Sequence, residues 1–375
     1  VYTSTNFAAF ILYIGGVFSN MNWDGSTGTP ATNICYYDIS SSAWTTMIGG
    51  GGEGVDGTVY TILPVYTTGE YVYVGGTFNT IESFSITANN IAVWDRNSPQ
   101  WYAIIDSVYF GNGTDNTVRS LDFYSNYLYV AGDFIYVANN GSPSSIQSNY
   151  CAMLDISSYT SSFIWYPIGS SVGSPYNGVS GSSPKINSIL REPTAGYNIY
   201  VGGTFDQATI DNFGSPNTTT VSNIAKIDSS SFPSWNTPWD QMQHILASAE
   251  IGTNDTVYSI AYDTTNEFVY VGGQFTRAGL FYNIVLVPST GIGYLAKWSV
   301  LEKVWYPIIS GNTKLGVNGV VRSLALNSSN TKLYVGGQFS QGGSTSLYNI
   351  GIWDITNEVW LQTAIYGANN GFQFP

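Results

Sequence analysis

The chain has 375 residues and a hydrophobic content of 43%, enough for a large core, yet only 9% of its residues are charged, far below the roughly 25% of ordinary soluble proteins. Its net charge is −13 and its eleven basic residues form no run, so it lacks the clustered cations that nucleic acids and anionic membrane surfaces require. No apolar stretch reaches the roughly 20 residues of a membrane span; Phe7–Ile14 comes nearest and Gly15-Gly16 ends it, so neither nucleic acid binding nor membrane insertion is expected.

Four short runs recur in order along the chain. The first set is the degenerate Val1-Tyr2-Thr3-Ser4, then Leu12-Tyr13-Ile14-Gly15-Gly16-Val17-Phe18, Asn33–Asp38 and Trp44. The second is Val59-Tyr60-Thr61-Ile62, Val72-Tyr73-Val74-Gly75-Gly76-Thr77-Phe78, Asn90–Asp95 and Trp101. The third is Val118-Arg119-Ser120-Leu121, Leu128-Tyr129-Val130-Ala131-Gly132-Asp133-Phe134, a looser Asn149–Asp155 and Trp165. The fourth is Ile186-Asn187-Ser188-Ile189, Ile199-Tyr200-Val201-Gly202-Gly203-Thr204-Phe205, Asn223–Asp228 and Trp235. The fifth holds Val257–Ile260, Val269–Phe275, a looser Tyr294–Trp298 and Trp305; the sixth holds Val321–Leu324, Leu333–Phe339, Asn349–Asp354 and Trp360.

Each run is β-branched and aromatic and is bounded by Gly, Asn, Asp or Ser, which reads as a strand. The conserved tyrosine returns every 56–71 residues, the spacing of a propeller blade. The expected fold is all-β: a single six-bladed β-propeller with four antiparallel strands, A to D, per blade. The blades are placed at about 1–54, 55–114, 115–182, 183–253, 254–316 and 317–375. Each is contiguous in sequence, and the tail Gly371–Pro375 adds some pairing at the seam. Strand A residues, among them Tyr60, Arg119, Tyr258 and Arg322, are expected to line a central channel. The paired glycines end strand B where a bend or close approach excludes a side chain. The Asp closing strand C starts the C–D turn, and the strand D Trp covers the blade edge, removing about 150–250 Å² from water.

The double glycine after strand B, the Asp after strand C and the Trp on strand D resemble kelch-type blades. The fuller form, as in Gly75-Gly76-Thr77-Phe78, Asn90-Ile91-Ala92-Val93-Trp94-Asp95 and Trp101, is similar to the repeats of fungal cortical polarity-marker surface proteins. The resemblance covers essentially the whole chain. It implies a kelch-like propeller, a cell-surface location and no enzymatic activity, although propellers host many functions.

The A–B and C–D turns are short. The B–C connections Val17–Thr32, Asp133–Ser148, Thr204–Ser222 and Gln274–Ile292 and the D–A connections Ser170–Lys185 and Asp240–Thr256 are long, so the face that carries them is the expected functional surface. Cys35 and Cys151 are read as sharing one repeat position, held elsewhere by Ala92, Ala225, Ala296 and Gly351; a slot for small residues takes a free, buried Cys. Blades 1 and 3 are not neighbours, so no disulfide is expected. The single histidine, His244, is too few for a zinc or copper site and is read as a loop residue.

Asn20-Met21-Asn22-Trp23-Asp24-Gly25 echoes the start of a calcium loop, making Asn20, Asn22 and Asp24 the only metal candidates. The first acidic ligand and the closing glutamate are absent. Asp206 and Asp211 are a carboxylate pair of the kind glycoside hydrolysis uses. Sequons stand at Asn112, Asn140, Asn217, Asn254 and Asn327, all in predicted connections, with Asn112 and Asn254 read as equivalent D–A positions.

No cofactor is expected. The leading expectation is a non-enzymatic extracellular or cell-surface glycoprotein, a structural or interaction module that builds a larger assembly such as a fibre or coat. Its partners would be copies of itself, other extracellular proteins or glycans. Scarce charge and 29 tyrosines favour close packing between such surfaces. A carbohydrate-binding, lectin-like propeller is the alternative, and a glycan-active enzyme the third. The start at Val1 without a charged n-region is expected of a chain whose signal peptide has been removed, or of a portion of a longer protein.

Overall fold

The structure is a computed structural model. It describes residues 2–6, 11–21, 29–66, 69–83, 85–139, 145–194, 196–212, 214–235, 237–243, 251–279, 293–310 and 314–361. Asn22, Asp24, Asn140, His244 and the tail Gly371–Pro375 lie outside the described residues. The chain is all-β and forms two compact units, one of Val1–Gly178 with Ile210–Pro216 and one of Val179–Thr209 with Asn217–Pro375.

The first unit holds three antiparallel four-stranded sheets. Sheet 1 runs Tyr2–Asn6, Ile11–Gly15, Ile34–Asp38 and Ala43–Thr46. Sheet 2 runs Thr58–Tyr66, Glu70–Thr77, Ile91–Asp95 and Gln100–Ala103. Sheet 3 runs Val118–Tyr124, Tyr127–Gly132, Cys151–Asp155 and Ile164–Pro167. In the second unit, sheet 4 has three strands, Lys185–Arg191, Asn198–Thr204 and Ile224–Asp228. Sheet 5 runs Val257–Asp263, Phe268–Gly273, Leu295–Ser299 and Val304–Pro307. Sheet 6 runs Val320–Leu326, Lys332–Gln338, Ile350–Asp354 and Val359–Leu361. Sequence order is strand order in every sheet, as the repeats predict.

Sheet 4 departs from the expected four strands. Trp235 is buried but stands outside any strand at φ 43°. Pro233 and Pro238 flank it, and proline cannot donate to a ladder. Lys226 and Asp240 instead exchange backbone hydrogen bonds of 3.1 and 2.8 Å across the vacant edge.

The two glycines of each pair do different work. A Cβ on Gly15, Gly75, Gly202 or Gly272 would lie 2.4 Å from a Cγ1 of Val59, Val118, Val257 or Val321. These are strand A valines of the following sheet, so the first glycine lets one sheet close on the next. The second glycine lies over its own strand A: a Cβ on Gly76, Gly132 or Gly203 would meet a carbonyl oxygen at 2.0 Å. The tyrosine preceding the pair is buried in five sheets, but Tyr334 of sheet 6 is 40% exposed.

The residue opening strand C sits in the left-handed region in all six repeats: Asn33, Asn90, Tyr150, Asn223, Tyr294 and Asn349, with φ between 60° and 69°. Asn tolerates that region better than most residues. Its side chain also ties the start of strand C to the connection that leads into the following sheet, since the amides of Asn33, Asn90 and Asn223 donate to the carbonyls of Val55, Thr114 and Thr253 at 2.8–3.0 Å. The Asp at the end of strand C caps its turn as expected. Asp38, Asp95, Asp155 and Asp228 each accept the amide two residues on at 2.7–2.9 Å.

Tyr150 in that role corrects the reading of the cysteines. Cys35 pairs with Ile14 as Ala92 pairs with Val74, whereas Cys151 pairs with Ala131 as Ile34 pairs with Gly15. The two cysteines therefore occupy adjacent repeat positions, offset because Tyr150 replaces the asparagine. Both are free and buried. Burial pushes the Cys35 thiol up to about 12 and raises that of Cys151 as well. A thiol whose folded pKa is raised contributes stability that is whole below its unfolded value of ~8.5 and is lost as pH climbs through the folded value. Neither cysteine should be alkylated in the native protein at mildly alkaline pH, and both should be in urea. Replacing either with Ala should change stability by less than ~1.5 kcal/mol. A mass spectrum showing a disulfide between them would end this reading.

Candidate functional site

Strand A carries the same irregularity in five sheets. The ladder to strand B skips one residue, between Val118 and Ser120, Ile186 and Ser188, Val257 and Ser259, and Val321 and Ser323, and correspondingly opposite Gly75 and Gly76. The residues at which the register skips are Tyr60, Arg119, Asn187, Tyr258 and Arg322. A bulge re-aims the side chain it frees and twists the strand, and such bulges gather next to functional sites. Four of these residues are the ones expected to line a channel; their bulge was not foreseen.

The bulged residues interact across neighbouring sheets. In the first unit the Arg119 guanidinium lies 5.4 Å from the centre of the Tyr60 ring. It also makes a bidentate pair with Asp133, at 2.7 and 2.6 Å. In the second unit Arg322 lies 4.2 Å from the centre of the Tyr258 ring, whose hydroxyl donates to Gln274 at 3.2 Å. Asn187 donates its amide to the Val257 carbonyl at 2.8 Å. An arginine over an aromatic face is held electrostatically, and its planar fork suits carboxylates.

The long connections are more ordered than the loops expected. Among the described residues five B–C connections contain a pair of antiparallel strands, the longest being Gln207–Asn212 with Ser215–Thr220. A left-handed glycine opens a second clamp that the sequence reading missed. After Gly54, Gly113, Gly252 and Gly316, the side chains of Asp56, Asp115, Asn254 and Asn318 each accept two successive backbone amides from the segment leaving strand B, at 2.7–3.0 Å. The repeated Gly-[Val/Thr]-[Asp/Asn] was the available signal.

That clamp re-places the sequons. Asn254 is equivalent to Asp115 and not to Asn112, three residues earlier. Asn112 is half-buried, its amide nitrogen donates to Thr87 at 2.7 Å, and its Thr114 is fully buried. Asn327 lies in the turn between strands A and B of sheet 6, where its side-chain oxygen accepts the Thr331 and Lys332 amides at 2.9 Å. Asn217 stands exposed on a hairpin strand. Asn20, the described calcium candidate, is exposed and its amide bonds to Ser19; among the described residues no group of three His, Cys, Asp or Glu side chains could hold a metal. Asp206 is exposed, and Asp211 accepts the Gly214 amide at 2.6 Å to close its hairpin turn.

In the first unit a groove of about 680 Å³ runs along the outer edge of sheets 2 and 3, lined by Tyr102, Ile105, Phe110, Thr160, Ser162 and Phe163 among others. Its wall is built on Asp106, which is fully buried. One carboxylate oxygen accepts the Val108 and Tyr109 amides at 2.8 and 2.7 Å, and the other accepts the Trp165 amide at 2.9 Å. The loop so held presents Phe110 at φ 56° with 78% of its surface exposed, beside the exposed Ile105 and Val108. A bulky residue in the left-handed region is a strained placement.

Two further polar clusters tie the A–B turns. Tyr13 and Tyr66 donate to Glu70, which also pairs with Arg96 at 2.5 Å. Tyr262, Thr194 and Asn198 donate to Glu192 at 2.6–3.0 Å. Burial, and then the neighbouring carboxylate, raises the pKa of Tyr13, Tyr66 and Tyr262.

No family model matches the chain, and no curated protein matches it. Among solved structures it is similar to the extracellular domain of a candidate one-component system from B. thetaiotaomicron, at 14% identity and a TM-score of 0.51, over 98% of this chain and 34% of that one. The chain thus spans about a third of that structure's length, and the likeness is one of β-rich fold alone. Among the described residues no helix is long and apolar enough to cross a membrane.

Proposed function

We infer that the six sheets are blades of one kelch-like propeller, and that the protein is a non-enzymatic extracellular module that joins copies of itself into an assembly. The six in-phase repeats and the recurring glycine–valine contact between consecutive sheets support the propeller, which needs a strand to cover the exposed Tyr334 face of sheet 6. The extracellular assignment draws on the scarcity of charge, on the exposed sequon at Asn217 and on the extracellular origin of the structural neighbour.

The observation that carries the assembly reading is Phe110. A buried carboxylate holds this ring out into solvent beside a groove that the same loop walls. Plug and groove on one surface suit a two-fold contact in which each copy's Phe110 enters the other's groove. Only 9% of residues are charged, so little repulsion opposes such packing. A stable contact should bury about 1,000 Å² or more.

Sedimentation velocity over a concentration series is expected to show self-association that weakens at least ~10-fold in Phe110→Ser, since aromatic anchors at an interface centre cost about 2 kcal/mol or more when truncated. A wild-type protein that stays strictly monomeric at high concentration overturns the reading.

A further inference from the structure

We propose that Arg322 and Tyr258 form a binding site for the carboxylate of an acidic sugar. Arg119 and Arg322 both occupy the strand A bulge, and each lies over the tyrosine that fills the bulge of the preceding sheet. Asp133 follows the glycine of sheet 3 and grips Arg119 through both oxygens. At the matching place in sheet 6 stands Gln338, opposite Val320 in the ladder. Gln274 fills that place in sheet 5, and there too the bulged residue reaches it, through the Tyr258 hydroxyl.

The Arg119–Asp133 pair therefore shows what this position recognises, and Gln338 removes the internal carboxylate from it. Arg322 is exposed, and among the described residues no carboxylate pairs with it. Contact with the Tyr258 ring holds the guanidinium in place, and its planar fork of N–H donors suits a carboxylate. Two exposed amides, Gln274 and Gln338, are uncharged donors and acceptors suited to hydroxyls. A carboxylate on a hydroxyl-rich ring matches that set better than an acidic peptide, which would want further cations. The site is independent of the Phe110 contact, so either reading can fail alone.

Calorimetric titration with tetragalacturonate tests it, with the methyl ester of the same oligosaccharide and tetraglutamate as comparison ligands. The acid should bind and the ester should not. Arg322→Gln should weaken binding about tenfold or more, the scale of a lost charge-assisted hydrogen bond. Gln338→Asp keeps the arginine but supplies it with an internal carboxylate, and should weaken binding as much. Arg119→Gln should change affinity by less than about twofold, with melting temperatures confirming that each variant folds. Equal binding of the ester, unchanged affinity in Arg322→Gln or Gln338→Asp, or binding of tetraglutamate in place of the uronate overturns the proposal.

Discussion

Replacing Gly203 with alanine should cost about 3 kcal/mol or more, beyond the usual 1–3 kcal/mol of core overpacking. The added Cβ would lie 2.0 Å from the Lys185 carbonyl oxygen and 2.9 Å from the Ile186 Cα. Both are backbone atoms of the partner strand, so no side chain can swing aside to relieve the clash. Relief must come from prising strand A from strand B next to the bulge, where the ladder is already interrupted. Gly181→Ala is the comparison in the same unit, because the added Cβ on this exposed glycine would make only ordinary contacts, at 3.4 Å to Asp206. It should shift stability by no more than ~0.5 kcal/mol. Urea unfolding of the two variants decides the point, and equal midpoints would refute the backbone clash at Gly203.

The second large effect is expected at Asp106. Removing this carboxylate in Asp106→Ala leaves the Val108, Tyr109 and Trp165 amides without their acceptor. Hydrogen bonds to a charged group contribute about 1.5–3 kcal/mol each, and buried donors left unmade carry a further desolvation cost. A loss of about 3–5 kcal/mol is expected, allowing for partial relaxation of the loop. Self-association should fall with it, although Asp106 itself is fully buried, because the loop no longer has a reason to hold Phe110 at φ 56°. Asp106→Asn retains one acceptor oxygen and should lose about half as much. The chemical-denaturation midpoint and the sedimentation series should move together; a destabilised variant that still associates as wild type would separate Phe110 from the contact.

The strands were legible in the sequence because their cause is local. Alternating apolar residues, a double glycine and an Asn–Asp bracket recur in phase, and all six sheets lie within the stretches the repeats mark out. Features that depend on a single inserted or exchanged residue were hidden. The strand A bulge adds no residue type of its own; it shows only as a one-residue shift of register at Tyr60 or Arg119. Tyr150 in place of asparagine shifted the reading of sheet 3 by one residue, which in a ladder of period two moves a side chain to the opposite face. That slip placed Cys151 level with Cys35. Sheet 4 keeps its tryptophan but loses its outer strand to the prolines around it, a conflict between repeat pattern and hydrogen-bonding capacity that composition alone does not resolve. Phe110 was invisible for a different reason, since nothing in its neighbours announces that a buried aspartate holds it outward.

The asparagine that opens strand C has a consequence for how such a chain can grow. Its donor is a side chain, but the acceptor, in the connection to the following sheet, is a backbone carbonyl, that of Val55, Thr114 or Thr253. Every residue carries that acceptor. The receiving side of the link is thus indifferent to mutation, and only the giving side must be kept. A duplicated repeat would arrive with its own donor and find an acceptor already in place on whatever followed it. Copies could then drift apart in sequence, as Val55 and Thr114 have, without any matched change in their neighbours.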